Sequence, residues 1–125
     1  MGMGNAFPKR CTSPNLRTVE GAWLGAGAAN MTKVNGSGIL SVVRTGAGTF
    51  TITFADIGVQ VRNATVQVHT LATVAPQIAK VNLATFSTSA RTLQLEIWSL
   101  AGALTDPAAG TTVHIMVDMS DGTLP

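Results

Sequence analysis

Apolar and polar residues alternate most regularly between Ile39 and Phe54, in the stretch ILSVVRTGAGTFTITF. Phe50, Ile52 and Phe54 are interleaved with Thr49, Thr51 and Thr53. Side chains two apart on a strand share a face, so this segment has one apolar and one hydroxylated face. Gly46-Ala47-Gly48 separates it from the preceding apolar run and supplies backbone that tolerates positive φ, which predicts a β-hairpin.

The same alternation recurs along the chain. Arg91 to Ser99, RTLQLEIWS, places Leu93, Leu95 and Ile97 on one face and Gln94, Glu96 and Trp98 on the other. Thr111 to Met119, TTVHIMVDM, turns Val113, Ile115 and Val117 inward, after a loop centred on Asp106-Pro107. Val59 to Thr70 reads as one or two strands with a break at Arg62-Asn63. Leu71 to Thr85 reads as a loop followed by a strand from Ile78 to Leu83. Upstream, Trp23 and Leu24 anchor a first strand, Met31 to Val34 form a short second one, and Asn35-Gly36-Ser37-Gly38 turns into the hairpin. Seven or eight short strands with no amphipathic helix predict an all-β protein, a single β-sandwich or jelly-roll domain over residues 19–125. Residues 1–18 carry two Pro and three basic residues without any period, and predict an extended basic N-terminal arm. Such an arm is either a disordered tail or a segment that orders on a neighbouring subunit.

Composition changes that picture in one respect. Of 125 residues, 46% are hydrophobic and only 11% charged, against a usual charged share of about 25%. A surface so poor in charge, built from Thr, Ser, Ala and Gly, is suited to meeting other protein. No apolar run approaches the roughly 18 residues of a spanning helix, which argues against a membrane partner. The formal charge of +2 is too small to argue for nucleic acid. Cys11 is the sole cysteine, so no internal disulfide framework exists and a reducing cytoplasm is compatible. The N-terminus lacks the apolar core of a secretory signal.

Candidate chemistry is sparse. His114 and Asp118 share a face of one strand, but at about 3.3 Å per residue their Cα atoms lie roughly 13 Å apart, too far for one tetrahedral metal. His69 approaches His114 only if their strands are neighbours; Cys11 or Asp56 could then complete a metal set, but nothing in the spacing demands it. Glu20 and Glu96 both read as outward strand residues rather than as a catalytic carboxylate pair. No serine sits in a nucleophile elbow, and aromatic residues amount to 5%, with no Tyr. The expectation is therefore a protein that is not an enzyme, with no cofactor and no metal. Trp98, on the polar side of its strand, either anchors an interface or covers a sheet edge; an interface anchor is the expectation.

The string SVVRTGAGTFTITF, followed by ALTDPAAGTTVHIMV, resembles small virion proteins of tailed bacteriophages, over roughly residues 20 to 120. These carry a strand, an Arg-Thr-Gly-x-Gly turn, a Thr/aromatic strand and an Asp-Pro loop leading into a last apolar strand. The resemblance implies a capsid decoration or cement protein, made in the bacterial cytoplasm. It would be carried on the outside of the head, where it binds the major capsid protein at subunit junctions. It also implies a homo-oligomer, dimer or trimer, that uses its terminal arm. Phe7, Leu16 and Arg17 are the expected arm contacts, with Arg10 as partner for an acidic capsid patch. The alternatives are a tail or fibre module that faces a receptor and, less in keeping with so few aromatics, a carbohydrate- or small-ligand-binding sandwich.

Overall fold

The computed structural model describes residues 16–56, 60–71 and 73–120. Eight strands make up this portion: β1 (Leu16–Leu24), β2 (Thr32–Ser37), β3 (Ile39–Gly46), β4 (Thr49–Phe54), β5 (Gln60–His69), β6 (Gln77–Ser87), β7 (Thr92–Ser99) and β8 (Thr112–Ser120). They form two antiparallel four-stranded sheets, A in the order β2-β1-β8-β5 and B in the order β3-β4-β7-β6. The sheets pack face to face as a β-sandwich, and no helix occurs among the described residues.

The alternation that predicts the strands also builds the core. Phe50, Ile52 and Phe54 from β4, Leu93, Leu95 and Ile97 from β7, and Val113, Ile115, Val117 and Met119 from β8 are all buried in one cluster with Val19 and Trp23 of β1. The two inner strands of each sheet thus supply most of the apolar contact. At about 25 cal/mol per Å² of apolar surface removed from water, these positions are the main source of stability.

The hairpin over Ala47-Gly48 is present, with Val42 opposite Ile52 and Gly46 opposite Thr49. Four elements differ from the sequence expectation. β1 starts at Leu16, three residues before the expected boundary of the arm, because Leu16 to Val19 pair with the end of β8. Residues 1–15 lie outside the described residues. Asn35 and Gly36 do not turn; they stay in β2, paired with Ala22 and Gly21. The turn is made by Gly38 alone, which carries the chain from sheet A to sheet B at φ 92°. A Cβ there would come within 2.4 Å of Val19 Cγ1, so only glycine fits the crossing. Of the one or two strands expected over Val59 to Thr70, one is present, β5, and the expected break is a β-bulge, with Arg62 an extra residue between Val61 and Asn63. β6 runs from Gln77 to Ser87, beyond both ends of the expected strand.

The ladders divide into two kinds. The central pairings, β1 with β8 and β4 with β7, are unbroken. Each pairing that involves an edge strand shifts register, and the surplus always lies on the edge strand: Val34 on β2, Leu40 and Thr45 on β3, Arg62 on β5, and on β6 the segment 83–86, which faces Leu93 alone. The bulge in β6 is stapled by Thr85, whose hydroxyl accepts the Gln94 amide at 2.8 Å and donates to the Asn82 carbonyl at 2.7 Å. An extra residue breaks the in-out alternation, which explains why the apolar side chains of Val34, Leu40 and Leu83 are exposed.

Two arginine-aspartate pairs close the sandwich at opposite ends of β4. Arg17, opposite the buried Met119, reaches Asp56 in the segment after β4 and so ties sheet A to sheet B. At the other end Arg44, opposite the buried Phe50, meets Asp106 in the loop between β7 and β8. Asp106 also accepts the Gly48 amide at 2.9 Å, and its carbonyl accepts the Gln77 side chain at 3.1 Å. The Asp-Pro loop is therefore a clamp on the hairpin tip.

Candidate functional site

The outer face of sheet B carries the most unusual surface. Thr49, Thr51 and Thr53 of β4 give it a hydroxylated half, as the sequence predicts. Beside them β7 turns Gln94, Glu96 and Trp98 to the same outer face, flanked by Lys80 and Ile78 of β6. Trp98 stands directly opposite Ile78 on one side and is bridged to Leu104 on the other. Directly opposed residues share a face, so Ile78, Trp98 and Leu104 make one apolar row across the sheet. Ile78 is 55% and Leu104 40% exposed.

The indole of Trp98 is held in place. Its Nε1 donates to Glu96 at 3.2 Å, and the Lys80 ammonium lies 5.5 Å from the ring centroid. Glu96 in turn accepts from the Gln94 side-chain Nε2 at 2.9 Å and pairs with Lys80 at 3.6 Å, which leaves the residue only 9% exposed although it points away from the core. The carboxylate is satisfied by three donors, so its burial under the indole is offset by charge-assisted hydrogen bonds. A fixed aromatic loses little side-chain entropy when covered, which is the property of an interface anchor.

The outer face of sheet A is different in character. Glu20, Asn35, Thr65, Gln67, His114 and Met116 surround a shallow concavity of about 400 Å³ floored by Gly21 and Gly36. β5 and β8 are neighbours, so His69 and His114 do approach, with ring centroids 4.9 Å apart. Asp118, four residues along β8 from His114, instead accepts the Thr18 hydroxyl at 2.5 Å. Asp56, the other residue weighed with the histidines, is engaged by Arg17. Cys11 lies outside the described residues. Among the described residues no group of three or more His, Cys, Asp or Glu side chains is placed to hold a metal ion. Glu20 and Glu96 are on opposite outer faces of the sandwich and do not meet.

Of the residues expected to make interfaces, Trp98 is the half-buried centre of the apolar row on sheet B. Arg17 is in β1, not in a free arm, and its guanidinium already joins the two sheets through Asp56. Leu16 is the first residue of β1, opposite Ser120. Phe7 and Arg10 lie outside the described residues. Ile78 and Leu104 were not legible as partners of Trp98, because cross-strand neighbours depend on register and on a bridge outside the regular ladders. Their one sequence signal is an apolar residue where the local surroundings are polar. No family model, curated protein or solved structure matches the chain.

Proposed function

We propose that this chain is a structural protein of a bacteriophage virion, a decoration or cement protein that binds the outside of the head where major capsid subunits meet and strengthens the shell. The observation that carries the reading is the row of exposed Ile78 and Leu104 about the half-buried Trp98, with its indole held by Glu96 and Lys80. A prearranged aromatic flanked by aliphatic side chains suits a protein partner, and binding energy at interfaces concentrates on such residues. The charge-poor surface and the resemblance to small phage virion proteins support the same choice. In this role the outer face of sheet B lies on the capsid, and residues 1–15, with Phe7 and Arg10, reach a neighbouring subunit. Many weakly bound copies, as dimers or trimers, act together to resist rupture.

The test is co-sedimentation with shells of the corresponding major capsid protein, comparing the full chain, Trp98→Ala and a chain lacking residues 1–15. Stoichiometric binding by the full chain, weakened at least tenfold by Trp98→Ala, and shells that rupture at higher temperature when decorated are the expected results. A stable trimer that ignores shells and attaches to host cells would replace this reading with a tail or fibre module.

A further inference from the structure

The two histidines of the chain lie side by side on the outer face of sheet A. His114 is on the inner strand β8 and His69 on the edge strand β5. Their direct cross-strand partners are Gln67 and Thr112, which makes the histidines diagonal neighbours. The twist of an antiparallel pair brings one such diagonal within reach of long or aromatic side chains. Here the ring centroids are 4.9 Å apart, the planes cross at 73°, and both residues are exposed.

We propose that His69 and His114 together form a bidentate site for a divalent transition-metal ion, tightest for Cu²⁺ and weaker for Zn²⁺. A metal ion sits about 2.0–2.1 Å from each imidazole nitrogen, so two donors on one ion are about 3 Å apart. Rings already this close reach that separation by rotating about their side-chain torsions, with the ladder between β5 and β8 left intact. The sheet holds the two donors together before the ion arrives, and this preorganisation lowers the entropy lost on chelation. Imidazole selects Cu²⁺, Ni²⁺ and Zn²⁺, with Cu²⁺ highest in the Irving–Williams order, and not the oxygen-seeking Mg²⁺ or Ca²⁺.

With no third His, Cys, Asp or Glu grouped beside the pair among the described residues, the remaining coordination positions belong to water. The site is an open, exchangeable one, unlike the four-ligand sites that hold a fold together. His114 also lines the concavity with Glu20, Asn35 and Gln67, so the open positions adjoin a polar recess. The inference concerns the face opposite the Trp98 row and stands whether or not that row meets a capsid.

The experiment is isothermal titration of CuCl₂ and, separately, ZnCl₂ into the full chain, His69→Ala, His114→Ala, the double variant and Cys11→Ser, with melting curves to establish that each is folded. One equivalent of Cu²⁺ should bind the full chain and Cys11→Ser alike, each single histidine variant should lose at least tenfold in affinity, and the double variant should lose that equivalent. Electron paramagnetic resonance of the copper complex should report nitrogen coordination that disappears in the double variant. Unchanged binding in the double variant, or no uptake of Cu²⁺ by the full chain at millimolar metal, overturns the proposal.

Discussion

Arg44 and Asp106 face one another through two parallel hydrogen bonds of 2.9 Å, although 62 residues separate them in the chain. Those hydrogen bonds hold the Asp106 carboxyl below the usual carboxylate range, and the Gly48 amide adds to the shift while partial burial opposes it. A lowered folded value means that the unfolded chain binds the proton more readily, so the pair stabilises the fold above about pH 4. This contribution is lost as pH falls from there through the lowered folded value. Melting curves between about pH 2 and 6 should show the wild type losing stability over that interval. Asp106→Asn should start about 1–3 kcal/mol less stable at neutral pH and lose less on acidification.

Gly48 is the second part of the same clamp. At φ 62° it is in the left-handed region, and a Cβ would fall 2.5 Å from the Thr105 nitrogen and 2.6 Å from the Ile97 carbonyl oxygen. Gly48→Ala should therefore cost more than about 2 kcal/mol in chemical denaturation. Gly46, two residues earlier, has nothing within 4 Å of its missing Cβ, and Gly46→Ala should change stability by less than about 1 kcal/mol.

Thr85 replaces a missing rung in the ladder between β6 and β7. Thr85→Val keeps the volume but leaves the Gln94 amide without its acceptor, and should lower stability by about 1–2 kcal/mol. Thr85→Ser retains the hydroxyl and should recover most of that loss. Hydrogen exchange at Gln94 reads the effect directly, with faster exchange in the valine variant alone.

Around Trp98, the two charged neighbours should differ in weight. Lys80 is largely exposed, so Lys80→Ala should alter stability by less than about 1 kcal/mol. Glu96→Ala strips the acceptor from both Gln94 and Trp98 and should cost about 1–2 kcal/mol. Loss of the hydrogen bond should also shift the tryptophan emission in Glu96→Ala and not in Glu96→Gln, which retains an acceptor.

The inner strands were the most legible from sequence, for a physical reason. Residues buried against the opposite sheet, such as Phe50, Ile52, Leu93, Leu95, Val113 and Ile115, must alternate, and their pattern is the strand. Edge strands obey a looser rule. Gly36 looks like a turn residue and lies in β2, while Arg62 looks like a break and is a single bulged residue. The candidate site divided in the same way. Trp98 stood out as an aromatic in a polar phase, whereas Ile78 and Leu104 became its neighbours only through pairing that local sequence does not encode. Arg17 belonged by composition to the basic arm, yet the strand begins before it because Met119 offers a partner on β8.

The surplus residues on β2, β3, β5 and β6 bear on how copies of the molecule meet. A regular open edge invites another strand, and repetition of that event yields a fibril. Each margin of this sandwich is out of step with any straight partner, which disfavours growth by strand addition. What remains available is its broad surface. A second molecule thus finds a flat face to rest on more readily than a margin to extend.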